Sequence, residues 1–240
     1  MTQSRLLIAT LAFSLVLFCF STAPAQSVDR PQIEKEIHSL YDQIKEKEKL
    51  FLAPSKEDQE AYAKFLEQPD AGLIRLLPRE KYHGKLSIRG GGAYYSFTRL
   101  THEYGYGSDI ELQQGKFSVG FAGYDFGFLI DLGETPLEEA TLEHPGLRFL
   151  LNFSPPLTEP EIRAQQRQCG YGLQVGEFSY RSYLAVTVGH IYALRSISYD
   201  SSDALVALQV VRQDGDGSVI LIWKMLKKFT APTPERKNQP

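Results

Sequence analysis

Two long apolar runs near the C-terminus, residues 204–212 and 218–226, constrain the fold more than any other feature of the chain. They flank Gln213-Asp214-Gly215-Asp216-Gly217, and Asp-Gly pairs favour the positive φ angles of a tight hairpin. A strand with one face in water alternates apolar and polar residues, whereas these runs are apolar nearly throughout. They therefore predict a hairpin with both faces covered, as at the centre of a β-sandwich or a closed barrel.

Shorter runs of β-branched and aromatic residues, separated by glycines, begin near residue 85. Such runs are typical of antiparallel strands joined by turns. Residues 83–229 are therefore interpreted as one antiparallel β domain. A helical insertion is expected near 135–168, because Thr158-Glu159-Pro160-Glu161 has the form of a helix-capping box. Besides the two runs above, we predict strands at 86–89, 94–100, 109–112, 116–121, 126–132, 177–186 and 191–198.

The segment 26–82 lacks this strand texture and predicts a helical hairpin. A second helix is expected after Pro54, with Ser55 as its N-cap. The fold class is therefore α+β: an antiparallel β-sandwich or barrel with an N-terminal helical hairpin packed on it. The first helix carries an apolar stripe at helical spacing, formed by Ile33, Ile37, Leu40 and Ile44.

This stripe, within residues 31–51, has two alternative roles. Short helices gain most of their stability from tertiary packing, which favours a stripe packed on the chain's own β domain. The alternative is a homodimer formed through 31–51. Its heptad pattern covers barely two repeats, whereas a coiled coil usually has about three or four.

Residues 1–25 have the three parts of a cleavable secretory signal peptide: the basic Arg5, the apolar run 6–20 and the small-residue site Ala23-Pro24-Ala25. The apolar run is shorter than the roughly 20 residues of a membrane-spanning helix. We therefore expect an exported protein, periplasmic or secreted, with no stable membrane span after cleavage.

Cleavage would leave Cys169 as the single cysteine of the mature chain, which excludes an intramolecular disulfide. Cys169 is expected near a helix C-terminus, where the helix dipole disfavours a reactive thiolate. The last segment, 230–240, combines prolines with mixed charges and predicts a disordered tail.

The charge balance and the motifs exclude several function classes. The chain has 26 basic residues against 29 acidic ones, a net charge of −3, and no clustered basic face, so we exclude a nucleic-acid partner. We expect no cofactor, because Gly90-Gly91-Gly92 lacks the lysine and helix of a phosphate-binding loop. We expect no metal, because His102-Glu103 lacks the second histidine of the zinc motif.

The segment 89–133 interleaves aromatic residues with glycines and is the strongest candidate for a site. An exposed tyrosine ring offers a ligand both an apolar face and a polar tip. His102, Glu103 and Asp109 add titratable groups within a few residues of one another. The ligand-binding candidates are Tyr104, Tyr106, Arg99 and Tyr95.

Three hypotheses for function follow. The leading one is an exported, non-enzymatic protein that binds a small molecule, a glycan or an envelope protein through these tyrosine- and glycine-rich loops. The second is an exported hydrolase of glycan or peptide with His102, Glu103 and Asp109 as its catalytic candidates. The third is a structural or interaction module that assembles through the N-terminal helices. The first two require the candidate side chains to converge on one pocket.

Overall fold

The computed structural model describes residues 29–105 and 107–235. The predicted signal peptide, Tyr106 and the end of the predicted tail, 236–240, lie outside the described residues. The described chain has an α+β fold in which two antiparallel sheets pack together as in a sandwich, which confirms the predicted fold class. No helix in the described ranges is long and apolar enough to cross a membrane.

The large sheet has the strand order β1-β11-β10-β9-β5, and the small sheet has the order β2-β3-β4-β8. Strands β6 and β7 form a separate hairpin, and short 3₁₀ turns lie at Leu137–Glu139 and Pro145–Leu147. In chain order the elements are α1 (Arg30–Leu52), α2 (Lys56–Ala61), α3 (Ala63–Leu66), β1 (Ala71–Leu76), α4 (Arg79–Tyr82), β2 (Tyr94–Tyr95), β3 (Ile110–Gln113), β4 (Lys116–Ser118), β5 (Phe126–Gly133), α5 (Arg148–Asn152), α6 (Glu159–Tyr171), β6 (Leu173–Val175), β7 (Phe178–Tyr180), β8 (Tyr183–Ala185), β9 (Ile191–Ser198), β10 (Ser202–Gln213) and β11 (Val219–Phe229).

The predicted C-terminal hairpin is confirmed as β10 and β11. Both strands are inside the large sheet, because β11 also pairs with β1 and β10 also pairs with β9. On one face, Leu208 of β10 packs with Phe117 of the small sheet. On the opposite face, Leu205 packs in one cluster with Ile162 of α6. Because both faces are covered, neither strand alternates apolar and polar residues.

The short helices α2 and α3 contact the β domain. The N-cap predicted for the second helix is confirmed, since the Ser55 hydroxyl oxygen accepts a hydrogen bond from the Asp58 N–H at 3.1 Å. Phe65 of α3 packs against the large sheet beside Ile222. Arg212 of β10 forms an ion pair with the Asp58 carboxylate, which ties α2 to the sheet.

The stripe on α1 differs from the packing that we expected for it. Ile33 and Ile37, in the first part of the helix, are 43% and 46% exposed. Further along, Leu40 and Ile44 are 58% and 43% exposed, so these two side chains do not pack on the β domain. Only the end of the helix is buried, where Leu52 packs against the backbone at Gly92.

Strand β1 corrects the interpretation of 26–82 as purely helical. It pairs antiparallel with β11 and forms one edge of the large sheet. Its apolar run is short enough to be read as helix or strand, and its partner lies almost the whole domain away in sequence. Only the tertiary pairing decides between the two.

Three other boundaries were predicted incorrectly. Residues 86–89 form bends and a turn, and the strand expected at 94–100 stops after two residues and then turns. The single strand expected at 177–186 is divided into β7 and β8, which belong to different sheets. Residues 230–235 have no regular secondary structure. They are nevertheless attached to the body, because Pro232 C=O accepts from Asp200 N–H at 2.9 Å and Glu235 N–H donates to Leu157 C=O at 2.8 Å.

A buried ion pair joins the two layers on the helix-covered face. Arg195 of β9 and Asp203 of β10 are 1% and 3% exposed, and their guanidinium and carboxylate form two parallel hydrogen bonds of 2.9 and 2.8 Å. The remaining terminal nitrogen of Arg195 donates to Leu150 C=O at 2.6 Å and to Phe153 C=O at 2.7 Å. Arg195 therefore satisfies the carbonyl groups at the C-terminus of α5, which would otherwise lack donors.

Replacing Asp203 by asparagine should lower the free energy of unfolding by about 3–5 kcal/mol, because it leaves the buried Arg195 charge without its counter-ion. Urea denaturation measures this loss. Asp70→Asn is the matched control, since it breaks the exposed ion pair between Asp70 and Lys228 and should cost less than about 1 kcal/mol. Equal losses in the two variants would contradict the role assigned to the buried pair.

Candidate functional site

A tight turn after β2 carries several of the predicted site residues. Ser96 N–H donates to Thr101 C=O at 2.9 Å, and Leu100 N–H donates to Ser96 C=O at 2.8 Å. This geometry places Leu100 at a φ of 53°, in the left-handed region that bulky residues rarely adopt. The Leu100 side chain is also 64% exposed. Strained backbone conformations are concentrated at binding and active sites. Leu100 therefore marks this turn as a candidate site.

Asp109 lies beneath this turn and has a structural environment. Its side chain has no exposure, and its Oδ2 accepts from the Phe97 N–H at 2.7 Å. Burial raises the pKa of Asp109 to about 6, although hydrogen bonds to the carboxylate oppose this shift. Asp109 thus holds the turn from inside the core.

His102 is fixed by the edge of the large sheet. Its Nε2 lies 2.8 Å from the Arg75 C=O, and because a carbonyl only accepts, Nε2 is the protonated nitrogen. Burial lowers the pKa of His102 to about 4, so the ring is neutral at pH 7 with Nδ1 as an acceptor. Tyr95, 6% exposed, packs edge-on against the imidazole at 4.9 Å.

The side chains of the other candidates have different partners. Glu103 is exposed and pairs with Arg89 at 3.1 Å, while Arg99 donates to the Ser201 hydroxyl at 3.1 Å. Tyr104 packs on the Tyr94 ring at a centroid distance of 4.5 Å. Tyr106 lies outside the described residues.

A cavity of about 620 Å³, here called the edge groove, brings three of the predicted residues together: Tyr95, His102 and Glu103. One wall comes from the end of α1 and the residues after it, the next from β1 and 87–88, and the last from Tyr95 and 100–103. The first wall consists of Lys45, Glu48, Lys49, Leu52, Ala53 and Pro54, and β1 contributes Leu73 and Ile74. His102 and Glu103 are part of this lining, whereas Asp109 is not. The three catalytic candidates therefore share no pocket, and this geometry gives the hydrolase hypothesis no assembled acid and base.

Tyr104 instead borders a smaller polar pocket of about 360 Å³. The pocket surrounds Glu111, which is 4% exposed. The Glu111 carboxylate accepts from Arg79 at 3.0 Å, from the Tyr94 hydroxyl at 2.6 Å and from Ser118 at 2.9 Å. Its hydrogen-bonding capacity is thus used within the protein, which explains a buried charge without a ligand.

The edge groove exposes unpaired backbone of β1, which the sequence did not indicate. Asp70 C=O accepts from Met225 N–H at 2.8 Å. The backbone N–H and C=O groups of the even-numbered residues of this stretch therefore point toward β11. Arg75 C=O and Leu77 N–H point the other way, to His102 and to Gly92. By the same alternation Leu73 directs its N–H and C=O outward, and neither has a hydrogen-bond partner among the described residues.

The charges along the groove are uneven. The Glu48 carboxylate accepts from the Ser87 hydroxyl at 2.6 Å and the Ile88 N–H at 3.2 Å, and Glu103 is paired as described above. Lys45 and Lys49 are exposed, and neither forms an ion pair within the described chain. Because these donors to Glu48 are neutral, its carboxylate charge offsets one of the two lysines, and the groove keeps one net positive charge beside an apolar wall.

No family model, curated protein or solved structure matches the chain.

Three further observations concern residues outside the edge groove. Cys169 is buried at 1% exposure near the end of α6, and burial raises the pKa of its thiol to about 11. Among the described residues no three histidine, cysteine or acidic side chains are grouped as metal ligands would be. A third cavity, of about 710 Å³, lies between α5 and the β6–β7 hairpin and has Phe149 and Phe178 in its wall.

The shifted pKa of His102 predicts a pH-dependent stability. Between its folded value of about 4 and its unfolded value of 6.5, the unfolded chain binds a proton that the folded chain does not. Folding stability is therefore lost as the pH falls through this window. His102→Gln keeps a donor for the Arg75 carbonyl and does not titrate. We expect the wild type to lose about 1 to 2 kcal/mol relative to this variant between pH 7 and pH 5, measured by urea denaturation.

Asp109 acts in the opposite direction, because its raised pKa disfavours folding as the pH rises from about 4 to about 6. Both proteins contain Asp109, so the difference between them isolates His102. Identical pH profiles for the wild type and His102→Gln would refute the neutral, buried imidazole.

Proposed function

We propose that the protein is an exported, non-enzymatic binding protein whose ligand, with an apolar body and an anionic group, occupies the edge groove. The observation that carries this proposal is the combination of a cavity of about 620 Å³ with apolar walls and two exposed lysines that form no ion pair among the described residues. Binding pockets for small ligands commonly measure about 300–1,000 Å³ and pair apolar walls with a few placed polar groups. Export is inferred from residues 1–25.

The apolar wall supports a ligand with an apolar body. Leu52, Leu73 and Ile74 line the groove beside Tyr95, and Leu100 adds an exposed side chain that its strained turn holds in place. Covering such a side chain removes apolar surface from water and is favourable by about 25 cal/mol per Å². The neutral His102 provides an acceptor at Nδ1 rather than a second charge.

Titration with dodecanoate, which joins an apolar chain to a carboxylate, tests the proposal. Isothermal calorimetry should give one site, and the fluorescence of the single tryptophan, Trp223, should change, since its ring lies 6.3 Å from that of Tyr95 and packs over Gly72 of β1. The double variant Lys45→Glu/Lys49→Glu should bind about tenfold or more weakly, because both cations are reversed.

Lys47→Glu is the matched control, as it reverses a lysine of the same helix that does not line the groove. It should bind dodecanoate like the wild type. An absence of binding to the wild type would refute the proposal, and so would equal weakening by Lys47→Glu and by the double variant.

Self-association through α1 is a second candidate function, favoured by the exposed stripe of that helix. Removing Leu40 and Ile44, at 58% and 43% exposure, from water would stabilise a dimer. Light scattering should show a mass that rises with protein concentration, and Leu40→Glu/Ile44→Glu should abolish the rise. A monomeric mass at all concentrations would exclude this function.

A further inference from the structure

The outer edge of β1 offers a row of backbone groups to the edge groove. Leu73 N–H, Leu73 C=O and Arg75 N–H point the same way and have no partners among the described residues. At one end of the row the backbone groups already have partners. His102 Nε2–H donates to Arg75 C=O, and Leu77 N–H donates to Gly92 C=O. Its open part therefore lies at Leu73, inside the cavity.

Unpaired strand edges are reactive surfaces, because each free N–H and C=O can pair with another chain. Proteins usually protect an edge with lysine, proline or a bulge. β1 has no lysine or proline, its pairing with β11 is regular, and its one arginine turns its side chain to Asp216 at 2.8 Å. The N–H and C=O of Leu73 are accordingly free to form hydrogen bonds with an added strand.

We propose that the ligand of the edge groove is an extended peptide with apolar side chains and an acidic group, which pairs with β1 as a sixth strand of the large sheet. This inference rests on the proposed function and specifies its ligand. Main-chain hydrogen bonds to Leu73 supply the attachment, as in other cases of strand addition. Leu100 and Leu52 contact alternate side chains, and Lys45 and Lys49 attract the acidic group.

A peptide fits this site better than a plain amphipathic anion for one reason. A hydrocarbon chain leaves the Leu73 N–H and C=O without partners while it excludes water from them, which is unfavourable. A peptide backbone supplies a donor and an acceptor at the required alternation. The two ligand types therefore differ in a single requirement, the backbone hydrogen bonds of Leu73.

The test uses the full mature chain and an N-acetylated peptide of alternating valine and threonine with a free C-terminal carboxylate. Calorimetry should show one site, and hydrogen exchange measured by NMR should slow at the Leu73 and Arg75 amides when the peptide binds. The same peptide methylated at every backbone nitrogen should bind at least about tenfold more weakly.

A pair of variants isolates the backbone contribution. Leu73→Pro removes the outward N–H, which proline tolerates on an edge strand, and Leu73→Ala removes the same side chain but keeps the N–H. The peptide should bind Leu73→Pro at least about tenfold more weakly than Leu73→Ala, while dodecanoate should bind both equally. If Leu73→Pro fails to fold, the amide exchange of the wild type decides.

The outcomes separate the two proposals. Binding of dodecanoate without binding of the peptide overturns strand addition and leaves the proposed function standing. Peptide binding without slowed exchange at Leu73 also overturns strand addition. Binding of neither ligand overturns both proposals.

Discussion

The buried guanidinium of Arg195 is the interaction on which the layers of this fold depend. It neutralises Asp203 on the neighbouring strand and satisfies the carbonyl groups at the end of α5, so one side chain joins β9, β10 and the helical layer. The Phe229 ring lies 3.8 Å from the guanidinium carbon and covers it. With this face closed by helices and the other by the small sheet, the large sheet has its free backbone only at its edges.

Arg75 has a comparable role for the edge groove. Its side chain donates to Phe51 C=O at 2.9 Å, which fixes the end of α1, and its own C=O accepts from His102 on the opposite wall. Its guanidinium also pairs with Asp216 of the β10–β11 turn. Two walls of the groove are thus attached to one residue of β1. The apolar lining and the free backbone of Leu73 lie between those attachments.

The sequence allowed the centre of the fold to be predicted, because the β10–β11 hairpin is encoded locally by two apolar runs and their Asp-Gly turn. It did not allow β1 to be predicted, since that strand depends on a partner remote in sequence. Residue types pointed to His102 and Tyr95 but did not show that Asp109 is buried and does not line their cavity. The open edge at Leu73 has no signal in residue types, because sheet order determines it.

An open strand edge is a liability for a protein, since it can pair with the edge of a second molecule. In this fold the edge lies within a cavity whose other walls are α1 and the turn that contains Leu100. A helix or loop beside a strand edge is one means by which proteins protect that edge, and here the end of α1 and the Leu100 turn occupy that position. Strand β1 itself carries neither lysine nor proline, and its arginine is held by Asp216.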